Sequence, residues 1–130
     1  MLFQWSEYLN LAQYLKEHPN VSNAPEAAYR CAISRAYYAT YHSAYKYACR
    51  FPNFIPQKGI EHDDLVKYFK YTLGNITSKW KLVGNRLGIL KRWRHHCDYS
   101  PEDLGEINLK ASKAIDFAQF IIDNFRERRW

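Results

Sequence analysis

Arg94 and Asp98 stand four residues apart near the end of a run whose apolar members, Val83, Leu87 and Leu90, recur at helical spacing. On a helix, a guanidinium and a carboxylate so spaced meet on one face. Here that face is the apolar one, where an unpaired charge is costly. Two roles fit the pair. Either it is a structural ion pair tying this helix to another, or Arg94 is a phosphate-binding group in a sheltered cleft, held by Asp98 and flanked by Tyr99. A guanidinium matches two phosphate oxygens with a fork of N–H donors, so the second role is phosphate-ester chemistry. In the first role, removing Asp98 from a buried pair costs about 3–5 kcal/mol.

Arg35 and His42 lie seven residues apart in an earlier helical run, with Tyr38 between them. Seven residues rise about 10 Å along a helix axis. Both side chains lean toward the N-terminus, so their heads do not touch, though they can flank one phosphodiester. The alternative is a His satisfied structurally on a buried face. Imidazole titrates nearest neutrality, which makes His42, His95 and His96 the candidates for proton transfer, with Arg35 and Arg94 for charge stabilisation. Both arginines sit beside small or apolar stripes, and Asp98 is the acid nearest in sequence to Arg94. Arg35, Arg94 and Asp98 are therefore expected around one cleft, whose net positive charge leaves room for a phosphate.

The run from Lys91 to His96, with Lys79, Lys81 and Arg86 upstream, interleaves cations with Trp80 and Trp93. Such a face is either solvated helix surface or a nucleic-acid contact, for which Lys91, Arg92, His95, Tyr99 and Tyr38 are the candidate RNA-binding residues. A net charge of +6 in 130 residues favours a polyanionic partner through long-range attraction. Zinc at His95, His96 and Cys97 is disfavoured, because neighbours on a helix point roughly 100° apart and no second ligand pair has the usual spacing. Neither a metal nor a cofactor is expected. Cys31, Cys49 and Cys97 lack CxxC spacing and fit a reducing cytoplasm better than a disulfide framework. The N-terminus lacks the basic and apolar regions of a signal peptide, and no apolar run approaches the roughly 18 residues of a membrane span. A soluble, cytoplasmic chain is expected.

Positioning these residues requires helices. Hydrophobic content of 47% with 25% charged residues is globular composition, and the length suits a single domain over residues 1–130. Trp5, Tyr8, Ala12 and Leu15 mark a first amphipathic helix within residues 3–18. A second runs from Pro25 to about Cys49, with Ala28, Ala32, Ala36, Ala39 and Ser43 forming a small-residue stripe and tyrosines covering much of the rest. So little of it is plainly solvated that one face is expected in the core and another against a partner subunit. Leu65, Phe69 and Leu73 make a short helix ending near Gly74. The next spans about Thr77 to Cys97, weakened by Gly84 and Gly88. Ser100, Pro101 and Asp103 read as the start of a last helix, whose buried face runs from Leu104 through Ile107, Ala111, Ala114, Ala118 and Ile121 to Phe125. The expectation is an all-α, up-and-down bundle of four main helices plus one short helix.

RCAISRAYYATYHSA in the second helix, followed by RHHCDY before the last, resembles the HEPN domain family, and within it the short stand-alone branch with an S-R-x-Y-Y-A helix and a later R-x-x-x-D-Y. The resemblance covers essentially the whole chain. It implies a small α-helical homodimer acting as a metal-independent ribonuclease, often a toxin paired with a nucleotidyltransferase antitoxin. The family's catalytic signature is an Arg followed, after four to six residues, by a His. Here His95 and His96 come too early after Arg94, and Asp98 stands about where that His would be. Arg35 and His42 do satisfy the spacing. The chemistry implied is transesterification, in which a base takes the 2′-OH proton, the oxygen attacks phosphorus and a cation stabilises the added negative charge. Two alternatives accompany it: a catalytically silent module that partners a nucleotidyltransferase, and a purely structural dimerisation domain.

Overall fold

The computed structural model describes residues 2–21 and 23–126. Among them are five α-helices and no strand: α1 (Glu7–Glu17), α2 (Pro25–Ala48), α3 (Glu61–Lys67), α4 (Ser78–Tyr99) and α5 (Ile107–Phe125), with a π-helical segment at Tyr68–Leu73 continuing α3. The fold is an all-α bundle of four main helices and one short one. No helix among the described residues is long and apolar enough to cross a membrane.

Pro25 opens α2, where its missing N–H has no intrahelical acceptor and its fixed φ is already helical. Ala28, Ala32, Ala36 and Ala39 are buried, and α2 packs on α1, α4 and α5 at once. The small-residue stripe thus lets the protomer's own helices close in. The burial of α2 is accounted for within one protomer, with Glu26, Cys31 and Lys46 left in solvent. On α1, Leu9 and Ala12 are the buried residues, while Trp5 precedes the helix and is exposed.

Thr77 caps α4 by accepting from the backbone N–H of Trp80. Gly84 has a packing role: a Cβ there would stand 2.6 Å from the backbone N of Lys70. Its absence lets α4 lie against the π-helical segment.

The last helix starts at Ile107, not at Ser100. Ser100 ends α4, and its hydroxyl accepts from the N–H of Glu102, while Asp103 Oδ1 accepts from the N–H of Gly105. These side chains build turns two residues long instead of capping a helix. Arg30 holds the loop in place, donating to the carbonyls of Cys97, Ser100 and Glu102 at 3.1, 2.6 and 2.7 Å. Gly105 and Glu106 then turn the chain through positive φ, 76° and 43°, into α5. Beyond that point the expected face is present, with Ala111, Ala114, Ala118 and Ile121 fully buried.

Candidate functional site

The apolar stripe of α4 carries Arg94 into the bundle, where only 8% of the residue is exposed. Its guanidinium carbon lies 5.1 Å from the ring centroid of Tyr37 and 5.4 Å from that of Tyr38, both on α2. Aromatic faces are attractive surroundings for a desolvated cation, but they accept no hydrogen bond in the plane of the fork. The partner one turn on, Asp98, comes no closer than 3.8 Å from Oδ2 to Nη1. Nε is buried and makes no hydrogen bond. A buried donor left in that state costs about 1–3 kcal/mol.

Arg35 approaches the same place from α2. Its Nη2 donates to Ser34 Oγ at 3.1 Å, and Ser34 Oγ donates to Asp98 Oδ2 at 3.3 Å. Its guanidinium carbon is 4.9 Å from the Tyr38 centroid and 4.8 Å from that of Tyr8 on α1. Arg35, Arg94 and Asp98 are therefore linked in the geometry, with Ser34 between Arg35 and the carboxylate. Two guanidiniums against one carboxylate leave the cluster positive.

Tyr38 is the centre of a wider group. The ring of His42 lies 6.2 Å from it and that of His62 6.4 Å, so two arginines and two histidines surround one half-buried tyrosine. His42 is stacked on Trp5 at 3.5 Å, and burial holds its pKa below the ordinary histidine value. It makes no hydrogen bond to Arg35 or Arg94.

His62, on α3, is the member that the sequence motifs do not mark. Its Nδ1 shares a hydrogen bond with the Tyr37 hydroxyl, and its ring stacks on Tyr41 at 3.9 Å with the planes 11° apart. Burial lowers its pKa, and the charges of Arg94 and Lys91 lower it further. Burial also pushes the Tyr37 hydroxyl up strongly and the Tyr41 hydroxyl up to about 12, so both stay protonated near neutrality. The sequence signal was weak: one His at the start of a short acidic helix, meaningful only once α3 is laid across α2 and α4.

The remaining candidates other than Lys91 lie elsewhere. His95 is exposed against Tyr99 at 4.9 Å, and Tyr99, 70% exposed, does not flank Arg94. His96 Nε2 donates to the carbonyl of Glu102 at 2.8 Å, holding the loop after α4. Cys97 is buried and its thiol is pushed up to about 11 by that burial. His95, His96 and Cys97 thus make divergent contacts. Lys91 pairs with Asp63 at 2.5 Å, which holds that carboxyl below its usual range. With the exposed Arg92, and with Lys67 and Lys70, Lys91 lines a mainly basic groove of about 270 Å³ between α3, the π-helical segment and α4.

A buried guanidinium with an unused Nε–H, a second guanidinium near the same Tyr38 ring and two imidazoles around that ring make a cluster whose chemistry suits an anion. No protein-family model matches this chain, and neither a curated protein nor a solved structure matches it significantly.

Proposed function

We propose that the chain is a HEPN-type RNA-directed protein, a metal-independent endoribonuclease of a toxin–antitoxin or defence system that acts as a homodimer. The observation that carries this reading is Arg94. It is a buried cation whose Nε has no partner and whose nearest carboxylate among the described residues stands at 3.8 Å, so that its Nε–H is left for a ligand. A phosphodiester supplies the matching charge and oxygens. Arg35 adds a second positive charge across Tyr38, and the basic groove with Lys91 and Arg92 gives flanking phosphates a surface to follow.

The reaction is transesterification within the RNA. A base takes the 2′-OH proton, O2′ bonds to phosphorus, and the P–O5′ bond breaks as a general acid or water protonates the departing O5′, leaving a 2′,3′-cyclic phosphate and a 5′-hydroxyl. Arg94 and Arg35 offset the charge that builds on the non-bridging oxygens, while Asp98 and Ser34 hold the arginine heads in place. The test is cleavage of total and transfer RNA with EDTA present. Wild type should cut, and Arg94→Ala should lose activity by on the order of 100-fold or more. Cleavage abolished by EDTA contradicts the reading.

One observation favours a second reading. No histidine is hydrogen-bonded to Arg94 or Asp98, and Asp98 occupies the place where the resembled family carries its catalytic His. On that reading the chain is a catalytically silent binding module for a nucleotidyltransferase. A purified dimer that cuts no RNA yet retains such a partner supports it.

A further inference from the structure

We infer that His62 is a second anion-binding group of this site, one that takes up a proton as a phosphate oxygen binds beside the Arg94 guanidinium. The inference rests on the reading of Arg94 as a phosphate-binding residue. Tyr37 joins the two groups: its ring faces the Arg94 guanidinium at 5.1 Å, and its hydroxyl engages Nδ1 of His62. Tyr41, stacked at 3.9 Å, fixes the imidazole plane. Among the described residues, Nε2 of His62 has no hydrogen-bond partner. A protonated imidazole needs an acceptor at each nitrogen. The Tyr37 oxygen serves Nδ1–H, which leaves Nε2–H for an anion.

The charged and titratable groups facing His62 are Arg94 and Lys91 from α4, Tyr37, Tyr38, Tyr41 and His42 from α2, and its own neighbours Glu61 and Asp63. Burial and then the two α4 cations hold the pKa of the ring below the ordinary histidine value. An added phosphate charge opposes those cations, so ligand and proton favour each other's binding. His42 is not built for this role, since its ring is stacked on Trp5 and has no hydrogen bond among the described residues to take a second N–H.

The experiment uses a 2′-O-methyl RNA hexamer, which cannot transesterify and whose diesters do not titrate near neutrality, made with and without a 5′-phosphate. Affinity is measured across the neutral to mildly acidic range for wild type, His62→Gln and Arg94→Lys, and the His62 ring proton is followed by NMR in wild type, free and bound. Wild-type affinity should fall by up to about tenfold per pH unit as pH rises through the bound-state titration of His62, the limit for one linked proton. His62→Gln should flatten that slope. The His62 signal should titrate at higher pH when the hexamer is bound. Arg94→Lys should weaken binding about tenfold or more at every pH. A slope difference between wild type and His62→Gln seen with both hexamers assigns an internal diester; one seen only with the 5′-phosphate assigns a terminal monoester. Arg94-dependent binding with an unmoved His62 titration, or an unchanged slope in His62→Gln, overturns the inference and leaves the Arg94 reading standing. Binding indifferent to Arg94→Lys overturns both.

Discussion

Arg94 and Asp98 share a helix face, but the fold does not close the pair. A separation of 3.8 Å and an Asp98 side chain 30% exposed make it a half-solvated contact, not the buried ion pair that the spacing suggests. Asp98→Ala should therefore cost about 1 kcal/mol or less, far from the roughly 3–5 kcal/mol of a fully buried pair. Urea unfolding reads the difference, and a loss above about 3 kcal/mol would contradict the geometry. His62 and His42 are both held below the ordinary value of 6.5 by burial. As pH falls below 6.5 the unfolded chain binds more protons than the folded one, so stability is fully present above that value and declines on acidification. His62→Gln should remove part of the decline in melting temperature between about pH 7 and pH 5. A melting temperature that holds steady or rises as wild type is acidified would count against the buried, neutral imidazoles. Arg35, Tyr38, Arg94 and Asp98 were legible in the sequence because each pair lies on one helix, where spacing fixes direction. Ser34 and Arg30 lie on that same α2 helix, but their partners are 64 or more positions away in the chain, beyond the reach of periodicity.

At the scale of elements, α2 and α4 fall within two residues of their expected bounds, and the buried face of α5 is as expected, because apolar periodicity is a local property. Two features escaped it. The turn after α3 is π-helical, a variation in hydrogen bonding that side-chain spacing does not encode. The start of α5 was displaced because Ser100 and Asp103 serve equally as caps or as turn formers, and Arg30, a tertiary partner, selects the turn. Gly84 was legible only as a weakness in α4. In the fold it is the point where α4 meets the backbone of Lys70. Gly84→Ala recovers about 1 kcal/mol of helix propensity, yet the new methyl has no room. The net effect should be destabilisation by about 1–3 kcal/mol. Chemical denaturation checks it, and a variant as stable as wild type would show that the two elements are not so closely packed.

For the whole molecule, apolar periodicity along the chain foretold the all-α class but not that α3 joins the site. α3 brings His62 to Tyr37 and Tyr41, and that meeting exists only in three dimensions. The aromatic and alanine-rich character of α2 pointed to a partner subunit, whereas α1, α4 and α5 cover it within one protomer. A homodimer thus draws its support from the family resemblance and not from an uncovered α2. The net charge of +6 fits a polyanion, and among the described residues Arg94 is the cation enclosed by the fold with a donor unused. The most direct measurement is a crystal structure with the 2′-O-methyl RNA hexamer bound. The account predicts a phosphate oxygen within hydrogen-bonding distance of Arg94 Nε, between Tyr38 and His62. An oligonucleotide lying wholly on the Lys67–Lys91 groove, with Nε still bare, would contradict it.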